Sequence, residues 1–595
     1  MKKERVFLAT TALEEFWDTK KPVVFLGDWC LRPSRKDFWQ KLNGNIIEGI
    51  WREKQNFIAS YDYVNRLYER LLFNLAISMN EVHGEEHGMR YWRIIIGPWL
   101  FHYLSVLYDR YLYIDKATSE YPEFETILLS EKSFVIPENT VDFIQLVADD
   151  PYNLQIFSKI LLTKVDRDFE AKEFPIRHIE SRTNKRNYSC FKSLNKKKII
   201  NTLLSVGSSK NNIFMFSPYL TKYVIFRIAL KSRGKILPIF PEDTIMRTTQ
   251  IDIGKRELLG TLSFEEQCEF EKLVLSFLPS DIPLCFIENY KALKEEALKE
   301  YTLNPKAILS WIGWYFHEKF KIWAAHMSER GVKLIGAQHG GNYGLDRYMW
   351  AMEHEIEIND KFYTWGWHYE EFGDKVKPLP ASILVGKKSR NKSSLNKEHI
   401  LYARIAWPRF LYRMQYPTNN HLEAYHEYMI TFIRRLDTRI RAVLKLRLFF
   451  QDYGGDVLKR LHDAKINIQL DNLSIPFQSS IDSCRLFVCD QISTTYAEAL
   501  AKNIPTIIFF DPDMYIHRIK AESCFDDLQR VGIMHYSPES AAKKVNELYD
   551  IVDEWWNDGE TQWARSKFCS LYARSSSDGI NEWVNELMNL SNAGE

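Results

Sequence analysis

His339 stands in the run GAQHGGNYG (336 to 344), directly behind an apolar stretch and ahead of a glycine pair. An imidazole titrates close to neutral pH, so at a turn it can take a proton from an attacking hydroxyl or donate to a phosphate. Gly340 and Gly341 permit positive φ and a close ligand approach, and Gln338, Asn342 and Tyr343 add polar groups that could hold a substrate. A second constellation is RLFVCDQISTTYAEALAKNIPTIIFF (485 to 510), two apolar runs bracketing a hydroxyl-rich turn and a helix. Asp490, Ser493, Thr494 and Thr495 fall where the first run ends, and free N–H groups at that helix start attract phosphate. Glu498, one turn in, could accept hydrogen bonds from ribose hydroxyls. The competing reading is a helix cap, which Ser and Thr favour anyway.

Three further charged residues interrupt apolar surroundings. Asp28 follows PVVFLG (22 to 27), where a carboxylate could deprotonate an acceptor hydroxyl, stabilise an oxocarbenium-like transition state, or simply cap the next segment. Arg447, inside VLKLRLFF (443 to 450), could reach a phosphate as a fork-shaped donor or pair with an acid at the sheet edge. Arg93, on an aromatic helix with Arg110, could hold a substrate carboxylate or serve a structural ion pair.

Elements must position these groups. Short apolar runs alternating with helical spacing predict α/β units with parallel sheets. Residues 1–385 read as an N-terminal, acceptor-side Rossmann-like domain opened by the strand at 22–27. Into it is set a large helical insertion at about 37–121. Its later strands are expected at SEKSFVI (130 to 136), 212–218, 234–240, 332–338 and 361–367, with a loop and polar helix over 182–211. Residues 386–398, polar and basic, read as a linker. Residues 399–555 repeat the alternation as a nucleotide-sugar-binding Rossmann-like domain, and 556–595 form a helical tail.

A chain of 595 residues is too long for one core and suggests about three units, or two with insertions. With 79 basic against 78 acidic side chains, no net field steers it to nucleic acid, and any membrane attraction must be local. Eight scattered cysteines without metal spacing fit a reducing cytoplasm. The N-terminus lacks a secretory core, and charges interrupt the apolar helix at 91–114, so it should be buried or interfacial and not spanning. There is no Walker loop, no GxGxxG and no GxSxG; Asp511-Pro512-Asp513 reads as a turn, so neither metal nor cofactor is expected.

FLATTALEEFW (7 to 17), FLGDWC (25 to 30), YWRIIIGPWL with LYDRY (91 to 111), GAQHGGNYG, YTWGW (363 to 367) and STTYAEAL (493 to 500) together resemble bacterial transferases of O-antigen and other surface-polysaccharide clusters. The resemblance implies a GT-B glycosyltransferase, two Rossmann-like domains facing across a cleft. Its partners would be a nucleotide sugar and a glycan or lipid-linked glycan acceptor. Its place would be the cytoplasm, with a peripheral contact at the inner membrane. More distantly the chain is similar to capsular Kdo and nonulosonic-acid transferases, which use CMP-activated donors. In that setting His339 would match a catalytic or phosphate-contacting histidine, and Ser493, Thr494 and Glu498 the nucleotide pocket. The helical insertion departs from those relatives. Two rivals share the motifs: a polyol-phosphate transferase of the teichoic-acid type, and a non-enzymatic nucleotide-sugar-binding assembly protein.

Overall fold

The computed structural model describes residues 5–176, 212–240, 250–264, 267–301, 304–387 and 397–592. The predicted loop at 182–211 falls wholly outside them, and so does most of the predicted linker, 388–396.

The architecture is α/β, and all ladders between strands are parallel. The N-terminal region opens with a four-stranded sheet of β1 (Val6–Ala9), β2 (Val23–Phe25), β3 (Gly44–Ile46) and β4 (Phe124–Glu125), in the order β3-β2-β1-β4. A two-stranded ladder follows, β5 (Ile127–Leu129) with β6 (Glu170–Lys172). The second sheet holds β7 (Ile213–Phe216), β8 (Ile236–Ile239), β9 (Ala307–Ser310), β10 (Lys333–Ala337), β11 (Lys361–Thr364) and β12 (Val376–Pro378), ordered β12-β11-β10-β9-β7-β8. The third holds β13 (Ile400–Ala403), β14 (Leu444–Arg447), β15 (Gln469–Leu470), β16 (Leu486–Cys489), β17 (Thr506–Phe509) and β18 (Met534–His535), ordered β15-β14-β13-β16-β17-β18.

The last order is that of a dinucleotide-binding sheet, with its reversal between β13 and β16. Central strands such as β7, β9, β13, β16 and β17 are buried at every residue, which is why they read as unbroken apolar runs and not as alternating ones. The carboxyl ends of β10 and β16 meet: the Gly341 N–H, four residues beyond β10, donates to Thr494 Oγ1 behind β16. Two Rossmann-like units thus face each other, the GT-B arrangement. The tail returns to the first of them, where the indole of Trp583 donates to the Pro380 carbonyl and packs near Trp311 and Tyr363.

Two expectations need correction. The strand at 22–27 does not open the β7–β12 sheet; it pairs with β1 in a sheet of its own. An apolar run of this length announces a strand but carries no record of its neighbours. SEKSFVI is not a strand: Glu131–Ser133 is a single 3-10 turn, and the ladder lies just upstream at β5.

The helical insertion is a hairpin of Lys54–His83 and Met89–Glu120, packed together and against Glu318–Glu329. The second helix is buried almost all along, its Asp109 and Arg110 paired with each other and tied to Trp51 and Asn153. Among the described residues no helix is long and apolar enough to cross a membrane.

Candidate functional site

Behind β10 the chain is pinned before it reaches His339. Gln338 is buried; its Nε2 donates to the Gly340 carbonyl while its Oε1 accepts from the Trp365 N–H and the Trp367 indole. That amide explains why GAQHGG and YTWGW occur together, and it places Gln338 inside the turn as a buried brace. His339 Nε2 lies 3.0 Å from Glu355 Oε1 and 2.8 Å from the Tyr343 hydroxyl, which also donates to Glu355 Oε2 at 3.1 Å. Glu355 is fully buried, and that burial raises its carboxyl pKa even against the opposing pull of His339. Tyr343 is a buried brace of His339. The imidazole itself is about one-fifth exposed, so it keeps an open edge while a buried carboxylate fixes its orientation.

Behind β16, Ser493 caps the helix Thr494–Ala501 by accepting from the Thr495 N–H, and the two hydroxyls lie 3.0 Å apart. A Cβ on Gly341 would collide with the Ser493 carbonyl. Neither Gly340 nor Gly341 has positive φ; the left-handed glycine of this turn is Gly344, at +76°. Space, not backbone freedom, demands Gly341.

Where these two turns meet, a cavity of about 400 Å³ or slightly more (430 Å³) opens, reached by Asn342, Ser493 and Ile492. It lies beyond the carboxyl ends of β13 and β16, the reversal point at which parallel sheets bind ligands. Most of its wall comes from the segment 405–419 behind β13, with Trp407, Tyr412 and Arg413; Phe449 and Tyr453 behind β14 and Tyr315 behind β9 complete it. The segment crosses to the other half of the molecule. Arg409 pairs with Asp150 and donates to the Trp29 carbonyl, Tyr416 donates to the Trp51 carbonyl at 2.9 Å, and His102 Nδ1 sits 2.6 Å from the Tyr412 carbonyl. The helical insertion is thus the support of the cavity wall.

Arg413 has no carboxylate within 4.0 Å among the described residues. Its guanidinium lies 5.0 Å over the Tyr412 ring. A cation-carrying fork without a protein counter-ion, beside a helix start, is equipped to take a phosphate or carboxylate. Asn419 Oδ1, buried in the same wall, has no hydrogen-bond partner among the described residues and can accept from a hydroxyl. Trp407 stacks at 4.2 Å on Tyr425, which holds its ring rigid as a platform for a base or sugar face. Burial pushes His102 down to about 3, so this imidazole is neutral and structural.

The other predicted residues divide. Asn342 and Ser493 line the cavity, and the Gly341–Thr494 contact joins their neighbours in the chain; His339, Gly340 and Thr495 are not among its lining residues. Neither is Asp490: it is 3% exposed and accepts from Tyr402, Arg404 and Tyr425 in a buried network. Arg447 pairs with Asp471 and donates to the Ile475 carbonyl and Ser480, the sheet-edge alternative. Glu498 is paired with Lys387 instead of standing free for a ribose. Arg93 makes a two-pronged pair with Glu69 on the helical hairpin and does not line the cavity. Asp28 lines a different cavity of 400 Å³ with Glu423, Lys36 and Arg434, where burial raises its pKa. It does not share a pocket wall with the His339 turn.

Arg413, Trp407, Asn419 and Glu355 were not singled out from the sequence. The signal was RIAWPRFLYRMQYP (404 to 417), an aromatic and basic stretch directly behind the first strand of the C-terminal sheet. Among the described residues no group of three or more His, Cys, Asp or Glu side chains is placed to hold a metal.

A family model described as LIC12162 family transferase matches residues 6–587. No curated protein matches. Among solved structures, the chain is similar to Staphylococcus aureus MnaA with UDP, at TM-score 0.37 and 10% identity over 64% of this chain and 97% of that one. It is also similar to a UDP-GlcNAc 2-epimerase from Neisseria meningitidis bound to UDP-GlcNAc (TM-score 0.36, 10% identity, 63% and 99% covered). A third is MurG of Acinetobacter baumannii (0.32, 10%, 64% and 99%).

Proposed function

Because the chain belongs to the LIC12162 family of transferases, we propose that it is a glycosyltransferase that moves a sugar from a nucleotide donor to a surface-glycan acceptor. The observation that carries this reading is the cavity at the β13/β16 reversal point, which joins a counter-ion-free Arg413 to a Ser493-capped helix start and an aromatic wall. Arg413 and the N–H groups of that helix are suited to the leaving phosphate, as an electrostatic sink fixed before the reaction. Trp407 suits a base or sugar face. His339, oriented by Glu355, suits the proton of the acceptor hydroxyl. As the donor we propose a CMP-linked ulosonic or nonulosonic acid, whose carboxylate is a second anion for Arg413 to hold. No metal enters this scheme.

The test is calorimetric titration of the purified protein with CMP-, UDP-, GDP- and dTDP-sugars, followed by nucleotide-release assays with Arg413→Ala alongside. Binding of a CMP-sugar that is lost in the variant supports the reading. Binding of another nucleotide sugar keeps the transferase and removes the CMP donor; binding of none overturns both.

A further inference from the structure

On the helix Lys222–Lys231, Val224, Ile225 and Ile228 are buried and the opposite face is apolar too. Tyr223, Phe226 and Leu230, spaced by three and four residues and so on one face, are 59%, 65% and 63% exposed. An ordinary surface helix is polar there. The helix packs against Gly579–Asn592 on its buried side, and nothing among the described residues covers the outer stripe.

Charge decides what the stripe suits. From Asn212 to Phe240 the chain has no acidic residue, and Arg227, Lys231, Arg233 and Lys235 have no carboxylate partner among the described residues. Arg227 lies along the Tyr223 ring, with Nη1 3.1 Å from the phenol oxygen. An apolar stripe rimmed by cations of one sign matches an interface in which acyl chains lie beneath anionic headgroups. A second protein would need its own acidic rim around an apolar patch, which a copy of this chain does not offer at this helix, since the same face is basic.

We propose that the Tyr223–Phe226–Leu230 face of this helix docks the protein on an anionic lipid surface, with its cations in the headgroup layer. The inference stands on surface chemistry and is independent of which group is transferred.

The test is co-sedimentation of the full chain with vesicles of phosphatidylethanolamine and phosphatidylglycerol, against phosphatidylcholine alone. Three proteins are compared: wild type, the double variant Phe226→Asp/Leu230→Asp and the double variant Lys231→Glu/Arg233→Glu. Wild type should bind the anionic vesicles, release in high salt as screening shortens, and bind roughly tenfold more than either variant. Because the replaced side chains are exposed, circular dichroism should show the fold unchanged. Wild type that fails to sediment, or that sediments no better than the Asp variant, overturns the proposal. So does concentration-dependent dimerisation in analytical ultracentrifugation that the Asp variant abolishes, which would assign the stripe to a second copy.

Discussion

The Gly341 N–H donates to Thr494 Oγ1 at 3.0 Å, so the His-Gly-Gly turn behind β10 and the hydroxyl-rich helix start behind β16 are in direct contact. The two sequence signatures far apart in the chain are the two lips of one cleft. Their relative position is set by a backbone approach that tolerates no side chain at Gly341.

Gly341→Ala should therefore push the lips apart. Overpacking of this kind costs about 1–3 kcal/mol, read as a lowered urea midpoint, and nucleotide-sugar binding should weaken with it. Gly340→Ala is the control, since its Cβ would meet only the Tyr343 ring at ordinary contact, 3.5 Å. Its stability should change by no more than about 0.5 kcal/mol. Equal behaviour of the two variants would refute a close approach as the reason for glycine.

Arg413→Ala should keep the melting temperature and lose the donor. A partly buried guanidinium without a carboxylate partner among the described residues contributes little to folding, whereas a charge-assisted bond to a bound phosphate is worth about 1.5–3 kcal/mol, or roughly tenfold to a hundredfold in Kd. Arg413→Lys should restore part of this, because a point charge replaces the fork. Undiminished affinity in the alanine variant would place the phosphate elsewhere.

Glu355→Gln separates orientation from charge at His339. The amide keeps the buried hydrogen bonds but not the carboxylate that steadies an imidazolium. If His339 takes the acceptor proton, kcat should fall on the order of tenfold to a hundredfold, with donor Kd unchanged. A fall in Kd-limited binding alone would make the pair structural.

How much of this was legible in the sequence depends on what each residue needs. Buried strands announce themselves as apolar runs, and β10, β13, β16 and β17 lie where those runs place them. Sheet membership is a long-range property: nothing local in PVVFLG records that Val23 pairs with Phe7. The turns bearing His339 and Ser493 are visible because glycine and hydroxyl residues mark strand ends. Asp490 and Arg447 have the types and spacing of ligand groups, yet their partners Arg404 and Asp471 come from other segments and absorb their charge. Arg413 is the reverse case. It stands in a stretch without periodicity, and it becomes conspicuous only when the fold leaves it with no acid nearby.

Asp490→Ala tests that reassignment. Removing one member of a buried ion pair strands Arg404, which is 4% exposed and also binds the Tyr425 carbonyl. The cost should be about 3–5 kcal/mol in unfolding free energy. At a temperature where the variant is still folded, its donor affinity should be close to wild type. Intact stability with lost affinity would return Asp490 to the binding site.

His102 gives the pH dependence. Burial holds its folded pKa at about 3, while its unfolded value lies near 6.5. Between those limits the unfolded chain binds the proton and the folded one does not. Stability supplied by His102 is therefore complete above pH 6.5 and drains away as the pH falls toward 3, by up to about 1.4 kcal/mol per pH unit. His102→Asn has no such proton to bind and loses the contacts to the Tyr412 carbonyl and Tyr315. The variant should be less stable than wild type at pH 7, and the gap should close on acidification, because every other titrating group is common to both. Paired urea titrations at pH 7, 6 and 5 measure it. A gap that stays constant would mean that His102 is protonated in the folded cavity wall, and that a cation stands beside Arg413.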